Sequence, residues 1–182
     1  VLVGDYLLSR CFEIMVEDGD LEVLKLLSST ATKIAQGEVL QLQYMREADL
    51  NEEIYLKIIN MKTASLFSAA TKVGSIICNN NEKEKEALKS YGKNLGIAFQ
   101  IADDTLDYLS KENILGKKIG KDFFEGKATL PVILSYQRSN TSEKNFLREV
   151  FKKNEKTKND FSKTLDIINK YNSIDESFNR AK

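Results

Sequence analysis

The 182-residue sequence contains no histidine, which excludes His–carboxylate zinc sites and catalytic groups that use a histidine base. A metal site in this chain would therefore use oxygen ligands. The single proline excludes a proline-rich scaffold, and a hydrophobic content of 42% excludes a disordered chain. Because 27 basic residues balance 27 acidic ones, bulk electrostatics give no reason to expect nucleic-acid binding.

The only two cysteines, Cys11 and Cys78, lie in apolar stretches and have no partner at metal-ligand spacing. We therefore expect two reduced thiols in the core of a cytoplasmic protein. No apolar run reaches about 18 residues, so no transmembrane segment is expected.

Apolar residues recur at helical spacing along most of the chain, and no segment shows the alternation of a strand. The sequence thus predicts an all-α fold. Four long helices come first, followed by a glycine- and lysine-rich break at 110–127 and by shorter amphipathic helices. The predicted spans are 1–16, 21–43, 50–78, 82–109, 142–153 and 159–171, with a helix after residue 129 and another beginning at 173.

Polar residues predict where several of these helices begin. Asp20 can cap the second helix, and Asp49 with Glu52 has the capping-box spacing that would open the third. Thr129 can cap the helix that carries Pro131 in its first turn, where a proline does little damage.

The segment FQIADDTLDY, residues 99–108, carries the strongest functional signal. On a helix, Asp103 and Asp107 are one turn apart and Asp104 lies about 100° round from Asp103, so the three carboxylates would share one face. Crowded carboxylates repel one another, and a hard cation between them relieves that repulsion. An ordinary solvated acidic face is the alternative, but the apolar flanks favour a divalent-metal site.

The kind of metal site follows from spacing. An EF-hand is excluded because Tyr108 occupies the position that its glycine would need. Mg²⁺ takes one or two carboxylates and completes its shell with water and substrate phosphate oxygens. That interpretation requires phosphate-binding cations nearby.

Lysines follow the carboxylates in the glycine-broken segment. Lys117, Lys121 and Lys127 are point charges on flexible backbone, although no P-loop spacing is present and a solvated lysine loop is the alternative. Lys62, within the apolar segment IINMKTASLFSAA, either extends to solvent or is held inside by an anion. Together these features describe helices around a cavity whose mouth holds Mg²⁺ and a polyphosphate.

FQIADDTLDY followed by LGKKIGKDFFEGKATLP resembles the second aspartate-rich motif and the lysine loop of trans-isoprenyl (polyprenyl) diphosphate synthases. GDYLLSR, GEVLQLQ and KTASLF precede it in the order of that family. These details are most similar to the bacterial long-chain branch, which makes quinone side chains such as octaprenyl diphosphate. The resemblance is strong over residues 1–136 and looser beyond them.

The resemblance implies the all-α isoprenoid (terpenoid) synthase fold and an Mg²⁺-dependent prenyltransferase of isoprenoid biosynthesis. Such an enzyme ionises an allylic diphosphate, and isopentenyl diphosphate then attacks the carbocation before a proton is lost. Metal ions and lysines stabilise the departing diphosphate. A homodimer or heteromer is the expected assembly.

The resemblance also assigns roles to residues in the matching motifs. Asp103 and Asp104 would bind Mg²⁺ and act in catalysis, and Asp107 would support them as a third carboxylate of the metal site. The remaining residues would bind substrate. Lys62 would bind diphosphate and also act in catalysis. The other residues that would contact diphosphate are Lys117, Lys121, Lys127, Thr63 and Gln100. Phe99 would line the isopentenyl side.

One departure from the family pattern is serious. The first DDxxD motif and its arginine pair, expected just upstream of VLVGDYLL, have no equivalent in this chain. We therefore expect residues 1–182 to be the central and C-terminal portion of a single all-α domain, incomplete at both ends and inactive alone. A non-catalytic partner subunit, a degenerate remnant and a metal-binding helical module without transfer activity are the other hypotheses.

Overall fold

The computed structural model describes residues 1–109 and 119–182, within which all regular structure is helical and no strand occurs. This confirms the predicted all-α class. The first five helices are α1 Leu2–Asp18, α2 Leu21–Gln43, α3 Glu52–Ile59, α4 Ser65–Ile77 and α5 Glu82–Leu106. The shorter helices that follow are α6 Lys121–Glu125, α7 Leu130–Arg138, α8 Thr141–Lys152, α9 Lys158–Lys170 and α10 Ser173–Arg180.

The helix starts test the predicted caps. The Asp20 carboxylate accepts hydrogen bonds from two backbone amides of the first turn of α2, as predicted. The capping box at Asp49 is wrong, because α3 is capped by Asn51, whose side chain accepts from the Glu53 backbone nitrogen at 2.8 Å. Thr129 does precede α7, but its hydroxyl makes no capping hydrogen bond there.

The predicted continuous helix over 50–78 is interrupted by a π turn at Asn60–Ala64. Two glycines allow neighbouring helices to approach this turn closely. A Cβ added to Gly37 on α2 would lie 2.8 Å from the Lys62 backbone nitrogen, and one added to Gly96 on α5 would lie 2.6 Å from the Ala64 Cα. The backbone of the π turn is therefore held between α2 and α5 at van der Waals contact.

The core is concentrated around α7, where all side chains from Leu130 to Tyr136 are buried. Phe123 and Phe151 pack edge-to-face at 5.6 Å between ring centroids and are both fully buried. The α1 helix differs, because Met15 is its only buried residue and its large apolar side chains are exposed.

Both cysteines are free thiols, as expected, but the prediction that they lie in the core is wrong. Cys11 on α1 and Cys78 at the end of α4 are exposed, because neither helix is covered on that face by another described element. Among residues 1–109 and 119–182, no helix combines the length and the apolar character needed to cross a bilayer.

Candidate functional site

A cavity of about 580 Å³ lies between α2, α3, the π turn, α5 and the segment from α6 to Thr129. It gathers polar side chains from parts of the chain that are far apart in sequence. The residues predicted for the site that line this cavity are Lys62, Thr63, Gln100, Asp103, Asp104, Asp107, Lys121 and Lys127.

The neighbouring aspartates Asp103 and Asp104 lie in different environments. Asp103 is exposed at the cavity, whereas Asp104 is only 5% exposed. Both Asp104 oxygens accept hydrogen bonds, one from the Tyr55 hydroxyl and one from the Gln100 amide nitrogen, each at 2.7 Å. Asp103, Asp104 and Asp107 do line one cavity, as expected of carboxylates on one helix face, but they differ in burial and in hydrogen-bond partners.

Burial raises the pKa of the Asp104 carboxyl from its ordinary value to about 7. The hydrogen bonds from Tyr55 and Gln100 favour the ionised form, but they do not outweigh the loss of hydration. The nearby carboxylates of Asp122 and Asp103 add to the rise by repulsion. The Asp104 carboxyl in the cavity therefore holds its proton more tightly than a hydrated surface aspartate does.

Asp107 joins α5 to α6. It follows the last residue of α5, and its two oxygens accept from the backbone nitrogens of Lys121 at 3.1 Å and Asp122 at 2.9 Å. Burial raises the pKa of this carboxyl, against the effect of those hydrogen bonds. α5 ends at Leu106 rather than at 109 as predicted, and Asp107 follows as its C-cap with helical backbone angles.

Within the described part of the chain, no group of three or more acidic or cysteine side chains is placed to hold a metal ion on its own. Asp104 is buried and Asp107 is partly buried, and both accept hydrogen bonds from protein donors, whereas Asp103 is exposed at the cavity. Mg²⁺ commonly binds through one or two carboxylates together with phosphate oxygens. This donor set fits an ion bound jointly with a diphosphate better than an ion bound by protein alone.

Lys62 lies at the cavity in the π turn, and its ammonium group is held by two side chains of α2. It contacts the Glu38 carboxylate and the Gln41 amide oxygen, each at 2.9 Å. The Lys62 side chain is paired with a carboxylate and is also 31% exposed, so features of both predicted alternatives are present. Gly37, Glu38 and Gln41 therefore form one unit, which positions the Lys62 backbone and its charge.

Thr63, the next residue of the π turn, donates its hydroxyl proton to the Gln100 amide oxygen at 2.7 Å. Because the Gln100 nitrogen donates to Asp104, a continuous hydrogen-bond chain runs from the π turn through α5 to α3. This chain fixes the orientation of the Gln100 amide.

The loop lysines differ in their partners. Lys127 contacts Glu125 at 2.5 Å and Asp122 at 3.3 Å. Burial by itself would lower the pKa of Lys127, but these two carboxylates raise it above its ordinary value. Lys121 is exposed and lies 3.7 Å from Glu125, and Lys117 lies outside the described residues.

Phe99 does not line the cavity. It lies half-exposed on α5, with its ring centroid 5.3 Å from that of Phe67 on α4. Its predicted contact with isopentenyl diphosphate stays a prediction.

Sequence reasoning missed several residues of the cavity, among them Tyr55 and Asp122. Tyr55 precedes Lys62 by two helical turns, so its spacing placed it on the same side of the predicted helix. Asp122 stands within the lysine-rich segment GKDFFEGK, where its charge is opposite to that of its neighbours. Neither signal distinguishes these residues from an ordinary core tyrosine or a surface aspartate.

The helical architecture is that of the isoprenoid synthase fold, as comparison with solved structures shows. Decaprenyl diphosphate synthase from Rhodobacter capsulatus superposes with a TM-score of 0.91 and 41% identity, covering 100% of this chain and 56% of that one. Polyprenyl synthase from Caulobacter crescentus, solved with calcium and isoprenyl diphosphate, has a TM-score of 0.93, with 42% identity over 100% of this chain and 55% of that one.

The chain belongs to the polyprenyl synthetase family, whose sequence model matches residues 1–168. This confirms the resemblance and extends it beyond residue 136. Octaprenyl diphosphate synthase of Haemophilus influenzae is 35% identical over 182 residues, which is 100% of this chain and 55% of that protein. All-trans-nonaprenyl-diphosphate synthase (geranyl-diphosphate specific) of Rhodobacter capsulatus is 43% identical over 148 residues, covering 81% of this chain and 45% of the relative. The chain thus spans about half the length of such relatives.

Proposed function

We propose that this chain supplies the metal–diphosphate half-site of a polyprenyl diphosphate synthase. The observation that carries this proposal is the meeting of Lys62 and Thr63 from the π turn with Asp103 from α5 in one cavity. Cationic, hydroxyl and carboxylate groups on converging elements suit a diphosphate bound together with Mg²⁺. A relative of the same fold was solved with calcium and isoprenyl diphosphate, which supports a divalent cation and a diphosphate as ligands here.

The proposed reaction is the elongation of an allylic diphosphate by isopentenyl diphosphate. The allylic C–O bond breaks, and its electron pair leaves with the diphosphate. The π electrons of isopentenyl diphosphate then form a C–C bond to the allylic carbocation. Loss of a proton from the adjacent carbon restores a double bond and gives a chain longer by one isoprene unit.

Asp103 would hold Mg²⁺ with the diphosphate oxygens, and the ion would supply positive charge as the leaving group becomes more negative. Lys62 and Lys127 would add charge on two sides of the cavity. Both are held by carboxylates, Lys62 by Glu38 and Lys127 by Glu125, so their positions are fixed before a ligand arrives.

A thermal melt with Mg²⁺, with inorganic pyrophosphate and with both together tests this proposal. Since only one carboxylate of the motif is exposed, we expect little shift with Mg²⁺ alone and a clear rise with both. At a hundredfold excess over Kd the stabilisation is about 2.7 kcal/mol, or roughly 5–10 °C for a chain of this size.

Asp103→Ala should abolish the joint shift, whereas Asp166→Ala, which removes an exposed aspartate on α9, should preserve it. A wild-type chain that melts cooperatively without any joint shift would contradict the proposal and favour a non-catalytic partner or remnant. An equal shift in Asp103→Ala would show that the ligand binds without the aspartate motif.

A further inference from the structure

Tyr55 is a buried residue of α3 whose hydroxyl has a specific polar partner. The side chain is 3% exposed and packs in the hydrophobic core, while its Oη donates to an Asp104 oxygen at 2.7 Å. Tyr136, also buried, differs because its hydroxyl has no hydrogen-bond partner among the described residues. Tyr136 shows that the described part of this fold accommodates a buried tyrosine hydroxyl without a hydrogen-bond partner. Burial alone therefore does not account for the hydrogen bond that Tyr55 makes to Asp104.

The Tyr55 hydroxyl ends the hydrogen-bond chain that starts at Thr63. Thr63 donates to the Gln100 oxygen, the Gln100 nitrogen donates to one Asp104 oxygen, and Tyr55 donates to the other, with 2.7 Å at every step. The chain connects the π turn, α5 and α3. Both Asp104 oxygens are therefore fixed, and Tyr55 supplies the bond that comes from α3.

Two members of this hydrogen-bond chain directly follow, in sequence, the residues that would touch ligand. Asp104 follows Asp103 directly, and Thr63 follows Lys62. A rotation of the Asp104 carboxylate would release the Gln100 amide, which would in turn release the Thr63 hydroxyl. The spacing between the Lys62 side and the Asp103 side of the cavity therefore depends on the Asp104 carboxylate staying in place.

We propose that Tyr55 is a positioning residue that, through its hydrogen bond to Asp104, holds the Lys62–Thr63 side and the Asp103 side of the cavity at the separation that a metal–diphosphate ligand requires. The proposal rests on the proposed function, and it adds a residue from a helix that carries none of the matching motifs. Tyr55 itself acts through Asp104 and makes no contact with the reacting atoms.

Tyr55→Phe tests this role, because it removes the hydroxyl and keeps the ring that packs in the core. Inorganic pyrophosphate is titrated at saturating Mg²⁺, and the apparent Kd is measured by calorimetry. We expect the apparent Kd to rise about tenfold, the size typical of one hydrogen bond to a charged group. The matched control Tyr136→Phe removes a buried hydroxyl that binds nothing and should leave the Kd unchanged.

A purely structural role would lower the melting temperature of the ligand-free protein without changing the Kd. A double-mutant cycle with Asp104→Asn separates the two cases. If Tyr55 acts through Asp104, adding Tyr55→Phe to Asp104→Asn should change the Kd by less than about twofold. Should Tyr55→Phe alone fail to melt cooperatively, the double variant carries the test, because it has no buried carboxylate to satisfy.

A wild-type Kd in Tyr55→Phe would overturn the proposal, and so would a further loss of affinity when Tyr55→Phe is added to Asp104→Asn. Those results leave the proposed function intact, because the wild type still binds. The absence of binding by the wild-type chain would instead remove the proposed function, and the role of Tyr55 with it.

Discussion

Carboxylates in two regions of the molecule have opposite pKa shifts. At the cavity, burial raises the pKa of Asp104 to about 7. In the C-terminal helices, hydrogen bonds from lysines lower two pKa values to about 2, that of Asp160 through Lys153 and that of Glu143 through Lys170. The side chains are chemically alike, so the difference lies in the partners that the fold places beside them.

The two environments have different consequences for stability. Asp160 accepts from the Lys153 ammonium at 2.8 Å and from the Thr157 backbone nitrogen at 2.9 Å, where it also faces the start of α9. Asp104 faces only neutral donors, with the carboxylates of Asp103 and Asp122 nearby. The C-terminal carboxylates therefore stabilise the fold, whereas Asp104 costs stability, as is typical of groups placed for a ligand.

The largest effect that would test this contrast is expected for Asp104→Asn. Removing the buried charge should stabilise the ligand-free chain at about pH 8 by on the order of 2–4 kcal/mol, since each unit of raised pKa corresponds to about 1.4 kcal/mol. The new amide can be satisfied if the Gln100 amide turns over and donates to Thr63. Chemical denaturation measures the gain, and calorimetry should show that pyrophosphate binding with Mg²⁺ is weakened but still measurable.

The paired variant Asp160→Asn should lower the stability of the chain, whereas Asp104→Asn should raise it. If both substitutions lowered stability equally, the distinction between the two groups of carboxylates would be wrong.

An effect of intermediate size on stability and binding is expected where α2 contacts the backbone of the π turn. Gly37→Ala places a methyl group 2.8 Å from the Lys62 nitrogen and 3.0 Å from the Met61 Cβ, so the π turn must move. We expect a loss of about 1–3 kcal/mol from overpacking and weaker pyrophosphate binding. Thermal melts with and without ligand measure both.

Gly74→Ala on α4 is the matched control, because its added methyl group meets nothing within 4 Å. That change should stabilise α4 by about 0.5–1 kcal/mol and leave binding unaffected. Equal tolerance at Gly37 and Gly74 would show that the close approach of α2 does not position Lys62.

The smallest effect concerns Asp160. Asp160→Asn should lower stability by about 1 kcal/mol at neutral pH, because it removes the pairing with Lys153 and the charge near the start of α9. The folded-state pKa is lowered, so this stabilisation is present above the unfolded pKa of about 4 and is lost as the pH falls towards about 2.

Denaturation of wild type and Asp160→Asn at several pH values measures the difference in unfolding free energy between them. Asp166→Asn is the exposed control on the same helix. A difference in unfolding free energy that increased as the pH fell would contradict a lowered pKa for Asp160.

The sequence predicted those features that depend only on residues within one or two helical turns of each other. Asp20 caps α2 as expected, and the all-helical class was predicted from apolar residues at helical spacing along most of the chain. The order of the motifs also indicated most of the charged residues that line the cavity, although Asp122 was missed. Asp49 and Asn51 show the limit, since both suit a cap and only the observed chain path selects Asn51.

Other features depended on contacts between distant segments. The π turn requires Gly37 and Gly96 on two other helices, and no pattern within residues 50–78 indicates it. From the sequence, Tyr55 is indistinguishable from an ordinary core tyrosine, and only the fold brings Asp104 within hydrogen-bond distance of its hydroxyl. Cys11 and Cys78 were assigned to the core from apolar neighbours in sequence, but the packing leaves those helix faces exposed.

The sequence by itself determined the helical class, the family and most of the charged residues that line the cavity, because these depend on periodicity and on the order of motifs. Only the tertiary structure decided how the aspartates divide their roles. Asp103 faces the cavity, Asp104 is fixed by Tyr55 and Gln100, and Asp107 holds α6. A carboxylate's hydration, partners and pKa are set by groups from other helices, and those groups become neighbours only when the chain folds.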